Sequence, residues 1–94
     1  MASIPPIPAL VTGGVDTHQD LHVAAVIDVE QNVLGTASFP TTAAGYRDLA
    51  AWMQGFGPLD RVGVEGTGCY GAGLYRHLRA QGVEVLEVTR PDRS

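Results

Sequence analysis

Two acidic side chains stand where acidic side chains are costly. Asp16 follows VTGGV and precedes THQD, inside the apolar run from Val11 to Val29. Glu65 closes the run RVGVE and is followed at once by GTG. A carboxylate in a segment that tends to be buried must be paired or hydrated. Two carboxylates at the ends of adjacent strands repel each other unless a cation joins them. Hard divalent ions such as Mg²⁺ take oxygen ligands and often use only one or two protein carboxylates, with water and phosphate completing the shell. Such ions activate a water or hydroxyl and stabilise the leaving oxygen of a phosphodiester. Asp16 and Glu65 are therefore the candidate catalytic and metal-ligating residues. Simpler readings stand beside this one: Asp16 as a turn residue bonding the backbone of DTHQD, and Glu65 as a carboxylate favoured by a following helix N-terminus.

Other chemistry-bearing residues carry less. His18 and His22 lie four apart but straddle a turn, so a helical zinc pair does not follow. The glycines of GTGCYGAG, residues 66–73, bring backbone N–H groups and a helix N-terminus near Glu65, but GK[ST] is missing and the spacing is not that of a P-loop. Cys69, the single cysteine, reads as a small buried residue rather than a nucleophile and has no internal disulfide partner. Tyr46, Trp52, Tyr70 and Tyr75 read as core or partly buried packing, and Arg76 and Arg79 as a solvated helix face.

The elements that must position the carboxylates follow from hydrophobic period and turn chemistry. Residues 1–10, with three prolines, read as an extended flexible arm. Strands are expected over 11–16, 21–29 and 33–39, the last two joined as a hairpin through Glu30, Gln31 and Asn32. Thr41 or Thr42 can cap a helix over 43–54, whose apolar stripe is Tyr46, Leu49, Ala50 and Met53. GFGP stops it. A fourth strand spans 61–65, and a second helix 69–80 turns Leu74, Tyr75 and Leu78 inward with Gly82 as its cap. A fifth strand covers 83–88, and Arg90–Ser94 form a loop.

The order β-β-β-α-β-α-β predicts an α/β fold, a mixed sheet with helices on its faces. The ribonuclease H-like fold has this order, with strand four parallel beside strand one and strand five outside it. Other α/β folds share the order.

The bulk numbers set limits. With 94 residues, 45% hydrophobic and 17% charged, the chain suits one small globular domain. A net charge of −4 argues against a general nucleic-acid-binding surface but not against a nuclease-type site, whose ligands are themselves acidic. MASIPPIPAL has no basic n-region, so it is a poor signal peptide, and no run is long enough to span a membrane.

Taken in order, GVDTHQDLHVAAVID, LGTASFPTTAAGY, RVGVEGTGCYGAGLYRHLRAQGVEVLEV and RPDR resemble the N-terminal region of DEDD-type insertion-sequence transposases, a group related to Piv-type DNA invertases. The resemblance covers about residues 11–93. It implies a ribonuclease H-like (RuvC-like) domain over 11–94, C-terminally incomplete. It also implies Mg²⁺ (or Mn²⁺) as cofactor, DNA cleavage and strand transfer in transposition, and DNA and a guide RNA as partners. The expected location is the bacterial cytoplasm at the nucleoid, with a homo-oligomer possible and no membrane association.

Of the family's four acidic residues, the first falls on Asp16, in a G-[VI]-D-x-H-K-like segment, and the second on Glu65, in a V-E-G-T-G-like segment. The third and fourth belong to a segment beyond RPDR, so Asp92 and Asp20 are not assigned to them. Gln19 stands where the family usually has lysine. With half the carboxylates, this chain by itself is expected to bind metal weakly and to be inactive. Two alternatives remain at this stage: a non-catalytic module binding RNA or a partner subunit, with vestigial carboxylates, and the phosphate-binding half of a sugar-kinase or actin-like fold. The second wants a glycine turn after its first aspartate, which DTHQD lacks.

Overall fold

The computed structural model describes residues 9–89. The Arg90–Ser94 loop and all but the last two residues of the expected 1–10 arm lie outside that range. Five strands and two helices follow in the expected order: β1 (Val11–Thr17), β2 (Leu21–Ile27), β3 (Val33–Pro40), α1 (Ala43–Gln54), β4 (Leu59–Glu65), α2 (Ala72–Ala80) and β5 (Val85–Val88). They form one mixed sheet of order β3-β2-β1-β4-β5. β1, β2 and β3 are antiparallel neighbours, while β4 runs parallel to both β1 and β5. Strand four therefore lies beside strand one, with strand five outside it.

Side-chain alternation divides the sheet into two unlike faces. Val11, Val15, Ala24, Val26, Val62, Val64 and Val85 point to one face and are buried there. Leu49, Ala50 and Met53 of α1, and Leu74 and Leu78 of α2, close over them. Both helices pack on this face, α1 over β2 and β3 and α2 toward β5, and they touch each other. Met53 of α1 reaches over to Gly13 of β1. A Cβ at Gly13 would lie 2.6 Å from the Met53 sulfur, so the missing side chain leaves that space to the buried methionine. Phe39, Trp52 and Phe56 fill the margin beside β3, with ring centroids 5.6 and 5.1 Å apart for the two successive pairs.

Element ends differ from the sequence reading where backbone hydrogen bonds go elsewhere. β2 stops at Ile27, not Val29, because the Asp28 carboxylate accepts the N–H groups of Glu30 and Asn32 and makes a tight turn. Gln31 takes a left-handed φ of 68° within it. Thr42, rather than Thr41, caps α1, its hydroxyl accepting Gly45 N–H at 3.0 Å. α2 begins at Ala72, three residues later than expected. The N–H groups of Cys69 and Gly71 both turn back to the Gly66 carbonyl at 2.9 Å, which makes a compact turn before any helix. Gln81 is the C-cap residue of α2, and Gly82 follows with φ 79°. β4 starts two residues early, at Leu59, and β5 two residues late, at Val85. No helix among the described residues is long and apolar enough to cross a membrane.

Candidate functional site

Register and alternation put Asp16 and Glu65 on the face that the helices leave uncovered. The β1–β4 register pairs Val15 with Val64, and both valines point into the helix-covered core. Asp16 and Glu65 are the next residue on each strand. Alternation turns both to the opposite face, at the C-terminal ends of two parallel neighbours. Neighbouring strands lie only about 4.8 Å apart. α/β sheets characteristically place ligands at this end of their parallel strands.

The register also supplies the surroundings. Val23 pairs with Asp16 from β2, and Val88 pairs with Glu65 from β5, so an apolar side chain flanks each carboxylate. One row back, Gly14 pairs with Gly63; a Cβ at Gly14 would meet nothing within 4 Å, whereas one at Gly63 would lie 3.1 Å from a Val88 methyl. Val23, Leu86 and Val88 are 38–44% exposed on this face. No enclosed pocket occurs among the described residues, so the carboxylates stand on an open surface.

One side-chain bond and one glycine turn fix the strand ends. The buried Thr17 hydroxyl donates to the Glu65 carbonyl at 2.8 Å and ties β1 to β4 beyond their last paired residues. Gly66 then turns the chain away with φ 64°. A side chain there would be strained by that φ and would press on the Thr17 hydroxyl. This accounts for the glycine directly after Glu65.

The histidines part company. His18 lies on the open side, and its Nε2 is 3.1 Å from Asp16 Oδ2, each side chain about half exposed. His22 points to the helix side and is fully buried, its ring stacked on Tyr46 at 5.7 Å. Its Nδ1 lies 3.4 Å from the Thr41 hydroxyl, and its Nε2 has no partner among the described residues. Burial holds its pKa below the usual 6.5, the nearby His18 adding to the effect and a backbone hydrogen bond at Leu21 opposing it. A shared zinc site for the two histidines is excluded by these opposite faces.

The sequence reading missed Thr17 and the Asp16–His18 contact. His18 lies one residue past the end of β1, in a stretch read from the sequence as a turn, so strand alternation did not announce it. Two expectations need correction. Cys69 is exposed rather than buried, and Tyr70 is 47% exposed rather than packed, because both sit on the turn that precedes α2. Tyr46, Trp52 and Tyr75 do pack against the core, and Arg76 and Arg79 are exposed on α2.

Comparison with known families gives a decisive result. The family model for DEDD insertion-sequence transposases, described as "Transposase", matches residues 13–92, nearly the whole chain. The chain belongs to the DEDD transposases. No curated protein matches it. Both carboxylates of this transposase chain fall within the matched span.

Among the described residues no group of three or more His, Cys, Asp or Glu side chains gathers as a metal cluster. The oxygen donors that the register puts together on the open face are the two carboxylates, with His18 beside Asp16. That set suits a hard ion which takes few protein ligands, such as Mg²⁺, and not zinc, which wants three or four nitrogen or sulfur ligands.

Proposed function

We propose that this chain forms the first part of a ribonuclease H-like (RuvC-like) catalytic domain, in which Asp16 and Glu65 hold Mg²⁺, or Mn²⁺ in its place. The reaction would be phosphodiester cleavage and strand transfer during DNA transposition. Family membership supports the reaction class, and the sheet order agrees with the fold. The observation that carries the site is the β1–β4 register, which sends two acidic side chains from adjacent parallel strands to one face.

The bound ion would supply an activated water or hydroxyl and stabilise the leaving oxygen. The chain's own residues prepare the place for it. Thr17 holds the two strand ends together. Val23 and Val88 flank the carboxylates with apolar side chains. Gly14, where a side chain would meet nothing within 4 Å, leaves room for a backbone or a phosphate to approach. DNA and a guide RNA are the proposed partners of the intact transposase.

Two carboxylates form an incomplete charge set for strand cleavage, so the 94-residue chain alone should bind the ion weakly and leave DNA uncut. The test is Mn²⁺ titration followed by water-proton relaxation, with Asp16→Asn and Glu65→Gln beside the wild type. Saturable binding lost in both variants is the expected result. Binding that neither substitution alters would overturn the assignment of these residues. Metal-dependent cleavage by the chain alone, abolished by Asp16→Asn, would overturn the expectation of inactivity while keeping the ligands.

A further inference from the structure

We infer that His18 is a positioning residue for Asp16: its imidazole N–H fixes the rotation of the carboxylate that meets the cation. The inference rests on the reading of Asp16 as a cation ligand. Nε2 of His18 lies 3.1 Å from Oδ2 of Asp16. An ionised carboxylate can only accept, so the hydrogen bond requires the proton on Nε2. A donor on one carboxylate oxygen restricts the plane in which the group presents its charge. Metal-ligating carboxylates are commonly oriented by such outer hydrogen bonds.

The backbone of His18 is itself held from several sides. Its N–H donates to the Leu21 carbonyl at 3.0 Å, and its carbonyl accepts the Thr41 hydroxyl at 3.1 Å. The Thr41 N–H donates to the Asp20 carbonyl at 3.1 Å, so one threonine clamps both ends of the short turn between β1 and β2. Thr41 directly precedes Thr42, the N-cap of α1. A continuous path of hydrogen bonds and chain therefore runs from the start of α1 through Thr41 to His18 and on to Asp16. The final contact does little for folding. Both side chains are close to half exposed, and pairs in that setting contribute little to stability. A well-anchored donor aimed at a carboxylate, with a negligible return in stability, points to orientation of that carboxylate.

The experiment uses the 94-residue chain with two readouts. The first needs no metal: the ¹³Cγ chemical shift of Asp16 in wild type, His18→Ala and His18→Gln. The contact predicts a shift in His18→Ala and a return toward wild type in His18→Gln, whose amide can still donate. The second is the dissociation constant for Mn²⁺ from water-proton relaxation. It should rise roughly 10- to 100-fold in His18→Ala, as for other residues that orient metal ligands, and recover in His18→Gln. Thermal melting by circular dichroism should be nearly the same in all three proteins.

An unchanged ¹³Cγ shift in His18→Ala overturns the contact. Wild-type Mn²⁺ affinity in His18→Ala, with affinity lost in Asp16→Asn, overturns the positioning role and leaves Asp16 as a ligand. Mn²⁺ binding that Asp16→Asn leaves intact removes the ligand reading and the inference with it. If His18→Ala does not fold, His18→Gln against His18→Asn, whose shorter amide falls away from Oδ2, provides the same comparison.

Discussion

Replacing Thr17 by valine removes one hydroxyl at nearly constant shape, at the point where fold and site share a bond. The hydroxyl is buried and donates to the Glu65 carbonyl at 2.8 Å, the usual length of a hydroxyl–carbonyl hydrogen bond. A net neutral hydrogen bond contributes about 1 kcal/mol, and setting a methyl against a carbonyl adds part of that group's desolvation cost. The substitution should therefore cost about 1–2 kcal/mol. In a domain of this size that corresponds to a fall in Tm of roughly 4–15 °C. Urea denaturation followed by far-ultraviolet circular dichroism and by Trp52 fluorescence would measure it. The midpoint should fall with the slope unchanged, since no extra surface is exposed on unfolding. Thr17→Ser keeps the hydroxyl and should retain the hydrogen bond, losing only the methyl contribution. Because the same bond ties the strand ends that bear Asp16 and Glu65, Thr17→Val should also weaken Mn²⁺ binding well below denaturing temperature. A Thr17→Val protein with wild-type stability and wild-type Mn²⁺ affinity would show that the bond holds neither the fold nor the site.

Other consequences follow from particular contacts. Thr42→Ala deletes the α1 cap and should cost about 1 kcal/mol, with Thr42→Asp restoring most of it; an alanine variant that melts with the wild type would remove Thr42 from that role. Gly13→Ala places a methyl against Met53 and should cost about 1–3 kcal/mol by overpacking. Shortening Met53 to alanine in the same protein should relieve that clash, so a double-mutant cycle ought to be strongly non-additive, whereas simple additivity would contradict the contact. Stability should depend on acid through His22. Its folded pKa lies below the unfolded value of 6.5, so the unfolded chain binds more protons between the two. His22 thus leaves stability undiminished above about pH 6.5 and lowers it as the pH falls below that value. His22→Phe keeps the stack on Tyr46 and should flatten that acid limb of a pH–stability curve; an unaltered limb would place the dependence elsewhere.

Much of this molecule is local enough to be written along the chain. The apolar, β-branched run LHVAAVI, the helical stripe Leu49, Ala50 and Met53, the threonine before α1 and the glycines after it each depend on neighbours within a few residues, and the elements appear where those signals stand. The same holds for Asp16 and Glu65 as acidic residues at strand ends. Sequence alternation also determines which residues share a face with Asp16 on its own strand. It does not determine which face of β4 lies beside it. That depends on pairing β1 with β4 across more than forty intervening residues, and a register slipped by one would send Glu65 into the helix-covered core.

The tertiary structure alone decided that both helices lie on one face, so that the two carboxylates share the other. It separated His18 from His22, because the β1–β2 register pairs His22 with the buried Thr17 while His18 lies past the end of β1, beside Asp16. It delayed α2 to Ala72 and exposed Cys69, because the Gly66 carbonyl draws two N–H groups into a turn before a helix can start. What the sequence by itself determined was the chemistry each element carries. Which of those chemistries meet was decided by non-local pairing, whose energy comes from contacts that no short window of sequence contains.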